Sequence, residues 1–217
     1  MVKSLLAAAA LCGVAPAFAA ANLLVDGSFE SAVLPDGDYG MYGGGALYGW
    51  TALGSGLIEV RRDIVGTAED GDYFVELDST ANSAMSQTFA TVAGQRYTLS
   101  FWYSNRPASL AYNSVFPGGV APASTNGLSW DVGTGAVNVP GLPANTSGDN
   151  TWTPYSASFV ATGATTTLTF AATGTSDSWG SSIDDIAVTT AVPEPAPLAM
   201  LGAGLAVLAG LARRRRR

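Results

Sequence analysis

Tyr97-Thr98-Leu99-Ser100-Phe101-Trp102-Tyr103 is the stretch on which the fold turns. Side chains along a strand point alternately to opposite faces, so Tyr97, Leu99, Phe101 and Tyr103 form one row and Thr98, Ser100 and Trp102 the other. The first row needs a second layer to cover it. The stretch lies within a strand-like run at 96–104, and on either side are further short runs rich in Thr, Val, Ile and aromatics, at 23–30, 58–65, 73–78, 84–90, 128–132, 155–160, 165–172 and 183–189. Turn formers such as Asp70-Gly71-Asp72, Ala93-Gly94, Thr162-Gly163 and Thr173-Gly174 punctuate them. Leu168 and Phe170 face inward between Thr167, Thr169 and Ala171. Nine or so strands, each with one apolar face, are satisfied by two sheets packed face to face, an all-β sandwich with no long helix outside the two termini.

Composition agrees, with Gly 26, Pro 11 and only 12% charged residues. Removing the two terminal segments leaves about 170 residues for a core, the size of one domain. Between residues 22 and 190 the cations are Arg61, Arg62, Arg96 and Arg106, against sixteen carboxylates. An acidic surface repels phosphate backbones, which disfavours nucleic acid as a partner. The chain has no histidine, and its single cysteine, Cys12, lies in the leader. Ser-His-Asp and Cys-His catalysis, disulfides and the usual zinc sites are therefore excluded from the middle of the chain.

Both ends read as addresses. Met1-Val2-Lys3, the apolar run from Ser4 to Val14 and Ala17-Phe18-Ala19 have the three-part layout of a secretory signal peptide, residues 1–21, cleaved near Ala19 to Ala21. Leu11 stands where a lipoprotein signal needs a small residue, so Cys12 is filler in the leader. At the other end Val192-Pro193-Glu194-Pro195 precedes an apolar stretch from Ala196 to Ala212 and five arginines, Arg213 to Arg217. About seventeen apolar residues approach the lower limit of a single transmembrane helix, and the arginines suit the cytoplasmic headgroups. This order resembles the PEP-CTERM sorting domain, over residues 191–217. The resemblance implies recognition by an exosortase, cleavage around Val192, Pro193, Glu194 and Pro195, and only transient insertion in the inner membrane. It also implies export to the surface or extracellular matrix, as in a biofilm, of a Gram-negative bacterium. An ordinary tail anchor would explain the helix and arginines but not the Pro-Glu-Pro.

The middle, residues 22–190, also has a recognisable order: Asn22-Leu23-Leu24-Val25-Asp26-Gly27-Ser28-Phe29-Glu30, Gly49-Trp50, Asp70-Gly71-Asp72-Tyr73-Phe74-Val75-Glu76-Leu77, Ser86-Gln87-Thr88-Phe89, Gly94-Gln95-Arg96-Tyr97 and Ile183-Asp184-Asp185-Ile186. It resembles a galactose-binding-like jelly roll of the kind catalogued as domain of unknown function 642, itself similar to several carbohydrate-binding modules. The chain departs from plant members in lacking their cysteines and in a Gly/Pro/Ala-rich insertion at about 106–126. The resemblance implies a structural calcium joining the first strand to the last, with Glu30 and Asp184 as matching ligands and Asp26, Ser28 and Asp185 secondary. The bland alternative is that Glu30 caps a turn and the aspartates are solvated.

For a sugar, a flat aromatic must stack on the pyranose while polar groups bind its hydroxyls. Trp102, on a polar row, is the leading platform. Trp50, Trp130, Trp152 and Trp179 are open to the same role, or to the commoner one of core residue. Arg106, after the central strand, suits a carboxylate or vicinal hydroxyls; Arg61 and Arg62 are expected to pair with Glu59 and Asp63. Glu59, Glu76 and Asp78 are available carboxylates, but nothing singles out a catalytic pair. Gly43-Gly44-Gly45 reads as a loop rather than a phosphate cradle. Three functions follow: non-catalytic polysaccharide binding, a structural surface protein with protein partners, and, as the minority reading, a glycan-active enzyme.

Overall fold

The computed structural model describes residues 21–107 and 126–190, with the isolated positions 204, 213 and 214. The leader, most of the 106–126 insertion and the Val192-Pro193-Glu194-Pro195 tail lie outside the described residues. Among the described residues no helix is long and apolar enough to cross a membrane.

Eleven strands form: β1 (Asp38–Tyr42), β2 (Thr51–Ala52), β3 (Ile58–Arg62), β4 (Tyr73–Glu76), β5 (Ala84–Ala90), β6 (Arg96–Ser104), β7 (Asn126–Asp131), β8 (Val137–Asn138), β9 (Thr153–Val160), β10 (Thr165–Gly174) and β11 (Ser182–Thr190). They build a six-stranded sheet, β1-β3-β4-β11-β6-β9, and a five-stranded sheet, β2-β5-β10-β7-β8. Every pairing is antiparallel. These are the two facing sheets expected from the alternating rows, and the jelly-roll sandwich that the resemblance implies.

The row quoted from β6 is buried as read, with Leu99 and Phe101 meeting Leu168 and Phe170 of the facing sheet in one core. Phe101 stands edge-on to Phe170 at 5.0 Å and stacks on Tyr155 at 4.8 Å, geometries that aromatic quadrupoles favour. Among the described residues the core runs from Leu24 to Val188.

One expected strand is absent. Residues 23–30 form turns rather than a strand, because Asp26 and Phe29 adopt positive φ values of 53° and 61°, which break an extended backbone. The segment is held by side chains instead. Gln87, turned inward from β5, accepts from the Val25 N–H at 2.6 Å and donates to the Val25 carbonyl at 2.9 Å, imitating a ladder pair. Asn22 bridges to Val188 and Ile186 in the same way. Conversely β1, β2 and β8 were not expected. The first is Gly-containing and the other two are only two residues long, too short for alternation to register.

Candidate functional site

Side-chain alternation and strand register together lay out the outer face of the six-stranded sheet. Met41, Glu59, Glu76, Ser182 and Ser104 lie across it in one row. In the next row Tyr39, Arg61 and Phe74 stand in register on one side, and Asp184, Trp102 and Pro154 on the other. Polar residues here are the usual solvent side of a sandwich. Yet Arg61 is 1% exposed, and Phe74, Glu76, Ser182 and Asp184 are at 0%. Loops roof this part of the sheet.

Three loops do so. Trp152 stands edge-on to Phe74 at 5.9 Å and donates its indole N–H to the Thr67 carbonyl, tying the segment before β9 to the β3–β4 loop. Asp149 accepts from the Thr67 N–H at 2.7 Å in the same junction. Glu69 and Asp70 N–H groups reach down to Asp184 Oδ2 at 2.8 and 3.1 Å. The loop before β11 is folded around Asp78, whose Oδ2 accepts the N–H groups of Asp177, Ser178 and Trp179.

Beneath the roof lies a buried ionic cluster. Glu76 meets Arg61 at 2.5 Å and Arg106 at 3.0 Å and accepts the Gly180 N–H at 2.7 Å. Arg61 also pairs with Glu59 at 2.7 Å. Burial pushes the Glu76 carboxyl up to about 7, against the pull of the two guanidiniums. Arg106 further donates to the Ser178 carbonyl and lies 4.9 Å from the centre of the Trp179 ring. The expectation that Arg106 contacts a sugar is therefore corrected: it is 5% exposed, and its charge serves Glu76. Arg61 pairs with Glu59 as expected. Arg62 instead takes Asp72 at 3.1 Å.

Two tryptophans are corrected in the same way. Trp50 and Trp130 are 1% and 6% exposed and sit in the core, where no pyranose reaches. Their indole N–H groups are satisfied inside, by the Asp26 carbonyl at 2.9 Å and by the Tyr155 hydroxyl at 3.0 Å. Trp102 differs. It is partly exposed on its polar row, in register with Pro154 and Asp184. Beside it the Asp185 carboxyl is pushed up by burial and by Asp70 and pulled down by the Trp102 side chain. Asp185 reaches this position because β11 bulges between Asp184 and Ala187, with Asp185 at φ 45°. Trp152 and Trp179, also partly exposed, belong to the roof over the same face.

The expected calcium ligands divide. Glu30 Oε1 accepts the N–H groups of Asp72 and Tyr73 at 2.9 and 3.0 Å, Ser28 Oγ donates to Asp70 Oδ2 at 3.0 Å, and Asp184 holds Glu69 and Asp70. All three therefore grip one loop, 69–73. Gly71 at its tip has φ +70°, and a Cβ there would run into the Glu30 carboxylate. Asp26 is not part of this group; it accepts from Ser31 within its own turn. Burial, with Asp185 alongside and against three backbone N–H bonds, holds the Asp184 carboxyl at about 7. Burial, Asp185 and Asp70 push Glu69 up as well. Among the described residues no three carboxylates converge to hold a metal by themselves.

Known proteins give the following likenesses. The family described as protein of unknown function (DUF642) matches residues 22–189, and the PEP-CTERM protein-sorting motif matches residues 191–217. No curated protein matches the chain. Among solved structures, a family 61 carbohydrate-binding module in complex with beta-1,4-galactotriose is 15% identical, with 79% of this chain and 99% of that one covered and a TM-score of 0.46. A family 16 carbohydrate-binding module is also 15% identical, covering 77% and 99%, at 0.46. A family 35 module from Paenibacillus barcinonensis is 18% identical, covering 71% and 100%, at 0.40.

Proposed function

For a chain that belongs to the DUF642 family and ends in a PEP-CTERM sorting motif, we propose export to the cell envelope and non-catalytic attachment there to polysaccharide through the Trp102 face of its sandwich. The motif is a signal for sorting to the envelope of Gram-negative bacteria. Its Val192-Pro193-Glu194-Pro195 segment is the place for exosortase cleavage, which would free the sandwich from its membrane helix into the surface or matrix.

The observation that carries the binding reading is Trp102. It is partly open to solvent on a sheet row, with the Asp185 carboxyl beside it. A partly exposed aromatic with an adjacent carboxylate suits a pyranose. The non-catalytic reading is supported by the state of the carboxylates: Glu59 and Glu76 are buried in ion pairs, and Asp78 is spent on three backbone N–H groups. A glycosidase needs two carboxylates facing each other across an open cleft.

Residues 21–190 are expected to be retained on at least one of a set of neutral, acidic and amino-sugar polymers in affinity electrophoresis. Trp102→Ala should weaken that retention about tenfold or more, equivalent to about 1.4 kcal/mol, with little change in thermal midpoint. Retention on none of them would leave the reading of a structural surface protein with protein partners. Equal retention of the variant would remove Trp102 from the site.

The reading includes a structural calcium, held by Glu30 and Asp184 with Ser28 beside them and completed by backbone carbonyls. Glu30, Ser28 and Asp184 all meet loop 69–73, and a hard cation taken there would replace the N–H bonds that the two carboxylates now accept from the loop. Bound calcium would neutralise the crowded carboxylates and tie the amino-terminal segment to β11. Its thermal midpoint should then rise in calcium over chelator, because a ligand held only by the folded state stabilises it by mass action. An unchanged midpoint would exclude it.

A further inference from the structure

A sandwich has four sheet edges, and here they are unequal. The five-stranded sheet ends in β2 and β8, each two residues long, and the six-stranded sheet ends in β1, five residues, and β9, eight residues. An edge strand exposes a row of unpaired N–H and C=O groups, and proteins usually blunt it with charge, proline, a bulge or shortness. Strand β1 is short and begins with Asp38. Strand β9, Thr-Pro-Tyr-Ser-Ala-Ser-Phe-Val, carries no charge, runs through eight pairs with β6 without a bulge, and has its only proline at the second position. Its other edge takes no backbone partner among the described residues.

The core-facing side of β9 is incompletely covered as well. Tyr155 and Ala157 point inward and pack on the core, yet both stay partly exposed. On the outward side Val160 is 43% exposed. Both are the remainder that one more strand would bury.

We propose that the free edge of β9 pairs antiparallel with the same edge of a second copy of the chain, joining two six-stranded sheets into one. The occupant is argued from charge. With four cations against sixteen carboxylates between residues 22 and 190, most surfaces of two copies repel, whereas self-pairing of β9 sets no like charges opposite one another. A twofold axis through Ala157 uses the whole strand. It places Tyr155 opposite Phe159 of the copy on the inner side, and Ser156 opposite Ser158 and Pro154 opposite Val160 on the outer side. Every residue keeps the face it already has, as antiparallel register requires.

Sedimentation of the full chain in mild detergent, and of residues 21–190, should show concentration-dependent doubling of the monomer mass. Residues 21–190 contain no cysteine, so Ala157→Cys gives a direct reading of register. Directly opposed Cα atoms lie about 4.5–5.5 Å apart, inside the range a disulfide spans, and mild oxidation should link most of the variant as a dimer. Ser156→Cys, offset from its own copy, should link much less. Ser156→Lys with Ser158→Lys, both at exposed positions, should return the monomer mass with the thermal midpoint of the dilute, monomeric wild type. The proposal is overturned by monomer mass at millimolar protein, by a dimer that survives the two lysines, or by Ala157→Cys linking no faster than Thr88→Cys on the opposite sheet.

Discussion

Replacing Glu76 by alanine is expected to destabilise the domain by about 3–5 kcal/mol near pH 8, a large share of the 5–15 kcal/mol typical of a whole domain. Glu76 is 0% exposed and is the carboxylate shared by Arg61 and Arg106. Its removal strands buried positive charge and also the Gly180 N–H, whose loop packs so closely that a Cβ on Gly180 would lie 2.8 Å from Glu76 Cγ. Glu76→Gln, which keeps an acceptor, should cost less. Urea unfolding measures both. A loss under about 1 kcal/mol for the alanine variant would mean the cluster relaxes into solvent.

The same residue fixes a pH dependence. The Glu76 carboxyl titrates at about 7 in the folded chain against an ordinary 4.5, with burial as the main cause. The folded state therefore holds this proton more tightly than the unfolded chain. Its contribution is fully present below about 4.5 and is lost as pH rises through about 7, on the order of 3 kcal/mol in all. Wild-type stability should fall over that window and Glu76→Gln should lack that part of the fall.

The buried rows were legible because alternation is local. Tyr97, Leu99, Phe101 and Tyr103 needed nothing beyond a period of two, and β5 and β6 match their expected ranges in full. What sequence could not carry was the roof. Glu76 on the outer row reads as a solvated carboxylate, and only contacts from Arg106, thirty residues away, and from Gly180, 104 residues away, bury it. Trp152 reaches Thr67 across 85 residues for the same reason. Trp102 was legible as the odd aromatic on a polar row, but the placing of Asp185 beside it depends on a bulge in β11 that no spacing announces. Trp50 and Trp130 failed as platforms because a tryptophan beside a strand end looks the same in sequence whether its ring turns in or out.

That distinction yields the other large effect. Trp50→Ala should cost about 3–5 kcal/mol, the range for emptying a buried aromatic. The ring is 1% exposed and leans on Phe29 at 5.8 Å and Phe170 at 6.4 Å, while its N–H anchors the Asp26 carbonyl. The amino-terminal segment, having no strand of its own, depends on that anchor together with Asn22 and Gln87, so the variant should also lose protection from proteolysis within residues 22–32. Below its lowered melting temperature, however, Trp50→Ala should keep polymer affinity, because the ring faces the core and not the Trp102 surface. Trp102→Ala should do the reverse, keeping stability and losing retention. Thermal unfolding and affinity electrophoresis on the two variants separate the roles, and a Trp50→Ala protein that stays folded yet loses retention would return Trp50 to the binding site.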